Sequence, residues 1–550
     1  MGFAACLSFV ACEDELDIEQ KGSMGDQDTY YVTDEAAETG IATAYYYWFY
    51  NYNGLTFTAN MLSDDIYCGG SDAGDDVAYH DLNNYCFDSE NTRIESDYAD
   101  LYRLIYAANL VIEKVGNFSD TNPETVVKRR CIAEAYFFRG FAHFWLAAFW
   151  GNAPVVTRVL DPKNCQVQNS QPGECMEQAA KDIQYAIDMN ALKSKSSPTD
   201  KSVMAYVTQE GAKAMLGKVL MFQEKWSEAA EVLDEVILSQ KYELYRGEYQ
   251  DIIKSATNWS CEGVLETQAP SDATDQVKWA FMTYICISPG WRNDAFNWNG
   301  LNGIIGVDEN GDLITGRRPG YEDFNISGYG FCNPRKDAYD AFVACEGVSG
   351  YRLNSVIKTS DFVQNDMKLK LIKYLHGHDQ YFNWKNRFLI SDMVHDNGGW
   401  NIFCQTTGRY MRYAEVLLNA AECHFRAGNP GRAKDLVNDV RDRAQATPYG
   451  SVTLEQIKLE RRCELYNEHN RWFDLVRWGE AATTLKDQGK ITLNLVAKED
   501  PNNSKKQIWS TVEDASSNPG NGFRAGVNER LPYPAKECRL NPGVKQNTGY

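Results

Sequence analysis

Between Trp291 and Asn299 the chain places Trp291, Arg292, Asn293, Phe296, Asn297, Trp298 and Asn299 close together in a stretch rich in glycine and asparagine. That mix of side chains suits one kind of chemistry, the holding of a sugar. A pyranose ring offers an apolar face of C–H groups and a rim of hydroxyls. An aromatic ring stacks on the first, and Asn or Arg pairs with the second. The same rings could equally fill a small core under the loop, and the sequence leaves both readings open.

A second concentration of chemistry lies earlier in the chain. Asp64, Asp65, Asp72, Asp75 and Asp76 share a loop with Tyr67, Tyr79 and His80. Two carboxylates can work as acid and base on a glycosidic bond, but among 76 acidic residues close pairs arise by chance. The loop reads either as a solvated acidic segment or as a further part of a sugar platform. Asp65, Tyr67 and Tyr79 are its candidate ligand contacts. His376-Gly-His378 is the closest histidine pair, and no acidic or cysteine cluster accompanies it at ligand spacing, so no metal is expected there. Asp308-Glu-Asn-Gly-Asp312 begins like a calcium loop. Its glycine comes too early and Pro319 stands where the closing Glu belongs, so a β-turn at Asn310-Gly311 is the better reading. No phosphate-binding loop, nucleophile elbow or zinc-protease helix occurs, and no cofactor is expected.

The composition limits the partners. Of 550 residues 43% are hydrophobic and 24% charged, as in a folded globular chain. Lys and Arg number 55 against 76 Asp and Glu, a net charge of −21, which repels phosphate backbones and argues against nucleic acid. No apolar stretch is long enough to span a membrane. Residues 1–11 are short and mostly apolar, and Cys12 is followed by Glu13, Asp14, Glu15 and Asp17. This looks like the tail of a bacterial lipoprotein signal with Cys12 as the lipid site. No Lys or Arg precedes Lys21, so the basic region of such a signal is missing, and a frayed apolar terminus is the other reading. With Cys6 and Cys12 set aside, an odd number of the 15 cysteines remains, so they cannot all pair. Cys131, Cys423 and Cys463 sit in helical patterns as small apolar side chains. Cys165 with Cys175, or Cys332 with Cys345, could pair locally, although the count suggests a cell that does not force disulfides.

The candidate residues need a frame, and the apolar periodicity supplies a helical one. Residues 96–116 and 127–150 carry apolar positions at helical spacing, the second almost all round. Residues 203–240 and 410–446 each read as two helices, split near Glu224–Trp226 and at Gly428-Asn429-Pro430. Shifting one onto the other places Ala229 on Ala433, Gly217 on Ala421 and Leu233 on Val437. Small residues where helices cross are the tetratricopeptide pattern. A third hairpin spans 455–487, and such pairs bury their faces by stacking. The predicted fold is mainly α: stacked tetratricopeptide-like hairpins with a large loop-rich insertion. The expected divisions are 1–11, a partial signal; 12–246, the first part of the scaffold with the 62–87 loop; 247–400, the loop-rich ligand-binding insertion; and 401–550, the second part of the scaffold and the closing segment.

Five segments in order resemble the SusD/RagB family of outer-membrane lipoproteins. They are Cys12-Glu-Asp-Glu-Leu-Asp17; Arg129 to Phe141 running on to Gly151-Asn-Ala-Pro154; Arg412 to Glu422; Glu460 to Gly479; and Leu531-Pro-Tyr-Pro-Ala-Lys-Glu537 with Asn541-Pro542 and Gln546 to Tyr550. The resemblance implies a lipoprotein anchored at Cys12 to the cell surface of the outer membrane. Such a protein captures glycan, caps a SusC-like TonB-dependent transporter and catalyses nothing. A peptide-binding RagB-like protein and, behind it, a glycoside hydrolase are the alternatives. The family's matching segments are scaffold, so no binding residue transfers by position. The charges of 460–479 read as structural. The ligand candidates remain Asp65, Tyr67, Tyr79, Trp291, Arg292, Trp298 and Asn299.

Overall fold

The computed structural model describes residues 31–161, 163, 165–204, 206–268, 287–393 and 404–550. Cys12, residues 1–11 and residues 279–286 of the aromatic insertion lie outside them. The first helices are α1 (Asp34–Met61), α2 (Val77–Asn84), α3 (Thr92–Leu110), α4 (Val126–Trp150), α5 (Glu174–Asp188), α6 (Gln209–Phe222) and α7 (Trp226–Leu238). Their starts are written in the sequence. Thr33, Asn91, Thr125 and Thr208 each turn a side-chain oxygen onto a backbone N–H of the first turn, which satisfies donors the helix leaves unpaired. The later helices are α8 (Lys336–Glu346), α9 (Tyr351–Val356), α10 (Ser360–Asn365), α11 (Tyr413–Arg426), α12 (Pro430–Arg443), α13 (Leu454–Glu464), α14 (Arg471–Arg477), α15 (Ala481–Thr484) and α16 (Ala535–Leu540).

The hairpins α6–α7 and α11–α12 stack with α11 against α7, and α13 closes over α11 and α12. Gly217 is required where α6 and α7 cross, because a Cβ there would lie 2.5 Å from the Leu233 side chain. The apolar α4 is buried between α1, α3 and α5. Among the described residues no helix is long and apolar enough to cross a membrane.

The remaining elements are short antiparallel pairs. β1 (Ile66–Gly69) pairs with β6 (Phe331–Pro334), and β2 (Gly263–Glu266) with β10 (Arg409–Arg412). β3 (Phe296–Asn297) pairs with β8 (Lys370–Leu371), β4 (Asn302–Val307) with β5 (Leu313–Arg317), and β7 (Ile357–Thr359) with β9 (Tyr381–Asn383). β11 (Leu493–Asp500) and β12 (Asn503–Glu513) form a longer hairpin. The Asp308–Asp312 segment is the turn of β4–β5: Asp308 Oδ1 accepts from the backbone N–H of Asn310 and Asp312.

Two hydrophobic cores result. The large one holds the helices. The second is built from the loop-rich part and the β11–β12 hairpin: Trp291, Phe296, Phe324, Phe382, Trp384, Leu495 and Trp509 with small aliphatic neighbours. The scaffold core also buries charge. Arg352 Nη1 meets Glu460 at 2.7 Å and Glu464 at 2.9 Å, Arg412 Nη1 meets Glu262 at 2.6 Å and Glu464 at 2.7 Å, and Arg441 meets Glu460 at 2.6 Å. Burial alone would raise the Glu464 carboxyl, but Arg443, Arg412 and Arg352 outweigh it and hold the group well below the usual carboxylate range. These pairs tie α9, β10, α12 and α13 together. Neither local cysteine pair forms: Cys165, Cys175, Cys332 and Cys345 are all free. Cys404 is disulfide-bonded, against the expectation drawn from the cysteine count.

Candidate functional site

Four of the seven candidate residues are not open to a ligand. Asp65 is 1% exposed and bound to Arg462 at 2.8 Å. Tyr67 is covered by the Arg335 guanidinium, 3.7 Å from its ring centre. Tyr79 packs on Phe57, with Arg93 over its ring. Trp291 is 5% exposed, surrounded by Phe324, Phe382 and Trp384, and donates its indole N–H to the Asn383 carbonyl at 2.9 Å. The physical reasons differ. Trp291 fills the core that the loop-rich segment builds for itself, Tyr79 enters the helical core, and Asp65 and Tyr67 lie against arginines far along the chain. His376 and His378 are also buried, the first against Asn494 and the second against Phe382. Among the described residues no group of three or more His, Cys, Asp or Glu comes together to hold a metal ion.

The remaining candidates converge. Arg292 forms an ion pair with Asp294 at 2.6 Å and donates from Nη1 to the Ser71 carbonyl at 2.7 Å. That second bond joins the acidic loop after β1 to the aromatic insertion, so the two loops singled out from the sequence are neighbours in space. Lys373 holds the other oxygen of Asp294 at 2.6 Å. Hydrogen bonds from Arg292, and after burial from Lys373, keep the Asp294 carboxyl below its ordinary value, so it is a charged acceptor at neutral pH. Trp298 is half-buried, its ring on Phe296 and Phe324, and donates its indole N–H to the Asn293 carbonyl at 2.6 Å. Asn299, next in the chain, is exposed.

Two further rings complete the site, and the sequence reasoning did not select them. Tyr329 is 40% exposed and Tyr374 is 42% exposed. Tyr329 stands between Gly328 and Gly330, and both glycines are needed. A Cβ at Gly328 would lie 2.1 Å from the Gly290 carbonyl carbon, and Gly330, at φ +85°, packs on Arg292. The backbone of 287–293 therefore clasps 328–330 directly: Tyr329 N–H donates to the Ile287 carbonyl at 2.9 Å, Gly330 N–H to Gly290 at 2.7 Å and Asn293 N–H to Gly328 at 3.1 Å. The tyrosine is lifted outward between two points of contact. Tyr374 follows Lys373, and its segment is fixed by Ile372 N–H to the Ala295 carbonyl at 2.8 Å and Leu375 N–H to Leu495 at 2.9 Å. Trp298, Tyr329 and Tyr374 thus sit on segments that these bonds hold next to Arg292, Asn293, Asp294 and Lys373. A glycine on each side of an aromatic residue, Gly328-Tyr329-Gly330, was the one signal that could have found Tyr329.

Comparison with known proteins places this geometry in context. Residues 364–550 match the SusD family, and residues 38–221 match a family described as starch-binding associating with outer membrane. A SusD-like protein P25 of Formosa agariphila is 21% identical over 481 residues, covering 83% of this chain and 80% of its own. Among solved structures, a laminarin binding SusD-like protein is 23% identical with a TM-score of 0.73, covering 94% of this chain and 99% of that one. Surface glycan-binding protein A from Bacteroides thetaiotaomicron, in complex with laminarihexaose, is 21% identical with a TM-score of 0.71, covering 94% and 99%.

Proposed function

The chain belongs to the SusD-like proteins, and on that footing we propose that it captures oligo- or polysaccharide at a cell surface without cleaving it. The carrying observation is that exposed Tyr329 and Tyr374 and half-buried Trp298 lie on segments joined to the Arg292–Asp294–Lys373 cluster. The rings offer flat faces to sugar C–H groups, and Asn293, Asp294 and Lys373 offer donors and acceptors to hydroxyls. A shallow surface leaves much of each sugar in water, so affinity per site is weak. The family resemblance and the laminarin- and starch-binding names among its relatives support a glycan. The description of the family matched by residues 38–221 supports an outer-membrane location, and the SusD/RagB resemblance implies lipid attachment at Cys12 and hand-over to a SusC-like transporter.

The test is a polysaccharide panel, laminarin and starch included, applied by affinity gel electrophoresis with assay for released reducing sugar. Retardation by at least one glycan without released sugar is the expected result. Sugar release would favour the hydrolase reading, and no retardation by any glycan with binding of a peptide library would favour the peptide-binding one.

A further inference from the structure

The pairing of β1 with β6 sets Tyr67 opposite Asn333 and Gly69 opposite Phe331, so Cys68 stands directly opposite Cys332. Opposed residues of an antiparallel pair lie about 4.5–5.5 Å apart at Cα, within the roughly 4.4–6.8 Å that a disulfide spans. Both side chains enter the same core, 2% and 1% exposed, and both are free thiols. The ladder is broken at this point. Cys68 N–H donates to Asn83 Oδ1 at 3.0 Å, and the Cys332 carbonyl accepts from Asn383 Nδ2 at 3.3 Å. Cys332 also has φ +58°, a left-handed conformation uncommon outside glycine. The other neighbouring thiols, Cys345 and Cys463, differ, because Cys345 Sγ is spent on Glu460, Arg352 and Arg441.

We propose that Cys68 and Cys332 form a redox pair that a small disulfide such as oxidised glutathione closes into an inter-strand disulfide. The Cys68 thiolate attacks the incoming S–S bond, and one glutathione leaves as a thiolate and takes up a proton. The Cys332 thiolate then attacks the mixed disulfide and expels the second glutathione. Two protein S–H bonds become one S–S bond, and the oxidant takes up the two electrons and two protons. Burial pushes both thiols up in the native fold, so the exchange proceeds when β1 and β6 part or while the chain folds. The bridge ties the strand that leads into the Ser71 loop to the strand that follows Tyr329, and its formation does not depend on the glycan reading.

The experiment refolds the full chain in a glutathione redox buffer, alkylates free thiols under denaturing conditions and maps the peptides. The expected result is a peptide pair joined through Cys68 and Cys332 that separates on reduction. The oxidised protein should also melt higher than the reduced one, and Cys68→Ala should shrink that difference to the part the Cys404 bond supplies. Complete alkylation of both cysteines after refolding under oxidising conditions, or linkage of either to another cysteine, would overturn the proposal. The map is read on the unsubstituted chain, so a variant that fails to fold leaves the answer intact.

Discussion

The helical region and the loop-rich region bury their large side chains in different ways. The helical core spreads over many helices and encloses a web of arginine–carboxylate pairs in which Arg352, Arg412, Glu460 and Glu464 are at most 1% exposed. The loop-rich core is small, and six of its fourteen residues are aromatic. In the first region the core side chains are committed to neighbours, while Tyr46, Tyr106 and Tyr185 on α1, α3 and α5 also reach the surface. In the second the aromatic rings fill the interior and then continue onto the surface as Trp298, Tyr329 and Tyr374. The loop-rich part differs in that its surface rings lie in segments joined to the Arg292–Asp294–Lys373 cluster, which puts hydrogen-bonding groups beside them.

The strongest way to break this comparison is at the ion pairs. Glu464→Ala leaves Arg352, Arg412 and Arg443 short of a buried partner, and it should cost about 3–5 kcal/mol in urea denaturation. An effect below about 1 kcal/mol would show that the web is dispensable. Trp291→Ala should cost a similar amount, about 3–5 kcal/mol, by emptying the centre of the aromatic core. Glycan retention would then fall together with the melting temperature rather than apart from it. Tyr329→Ala and Tyr374→Ala should do the reverse. Each should weaken glycan retention by roughly tenfold, about 1.4 kcal/mol, while stability stays within about 0.5 kcal/mol.

A further effect is on pH. Burial pushes His143 and His469 in the scaffold down to about 4 and His378 in the loop-rich core down to about 3. An unfolded histidine takes up its proton near 6.5. The unfolded chain therefore binds more protons below that pH, and stability falls as pH drops from about 6.5 toward these lowered values, by up to about 1.4 kcal/mol per unit for each group. His378→Asn should flatten only the part of the acid denaturation profile that reports the aromatic core. An unchanged profile would remove His378 from the account.

Much of the frame was legible in the sequence because its signals are local. The splits at Glu224–Trp226 and Gly428–Pro430 and the small residues at Gly217 and Ala421 fall where the helices turn and cross. Helix α1 was not legible: its mixture of Tyr, Asn, Thr and Ala is buried on several sides and shows no clean apolar stripe. For the site, the two loops and the residues Arg292 and Trp298 could be picked out from residue type. Which rings stay outside could not, since that depends on partners distant in the chain. Asp65 looked solvated until Arg462, from α13, lay against it. Tyr329 owes its exposure to the clasp between 287–293 and 328–330.

Hydrogen–deuterium exchange with and without a retained glycan tests the central claim most directly. Protection should appear in residues 287–299, 328–330 and 371–375, which carry the three rings and their polar neighbours, with the stacked hairpins unchanged. The groove along α5, α6 and α7, a hollow of about 470 Å³ lined by Lys181, Leu220, Lys225 and Glu228, is the place where protection would contradict it.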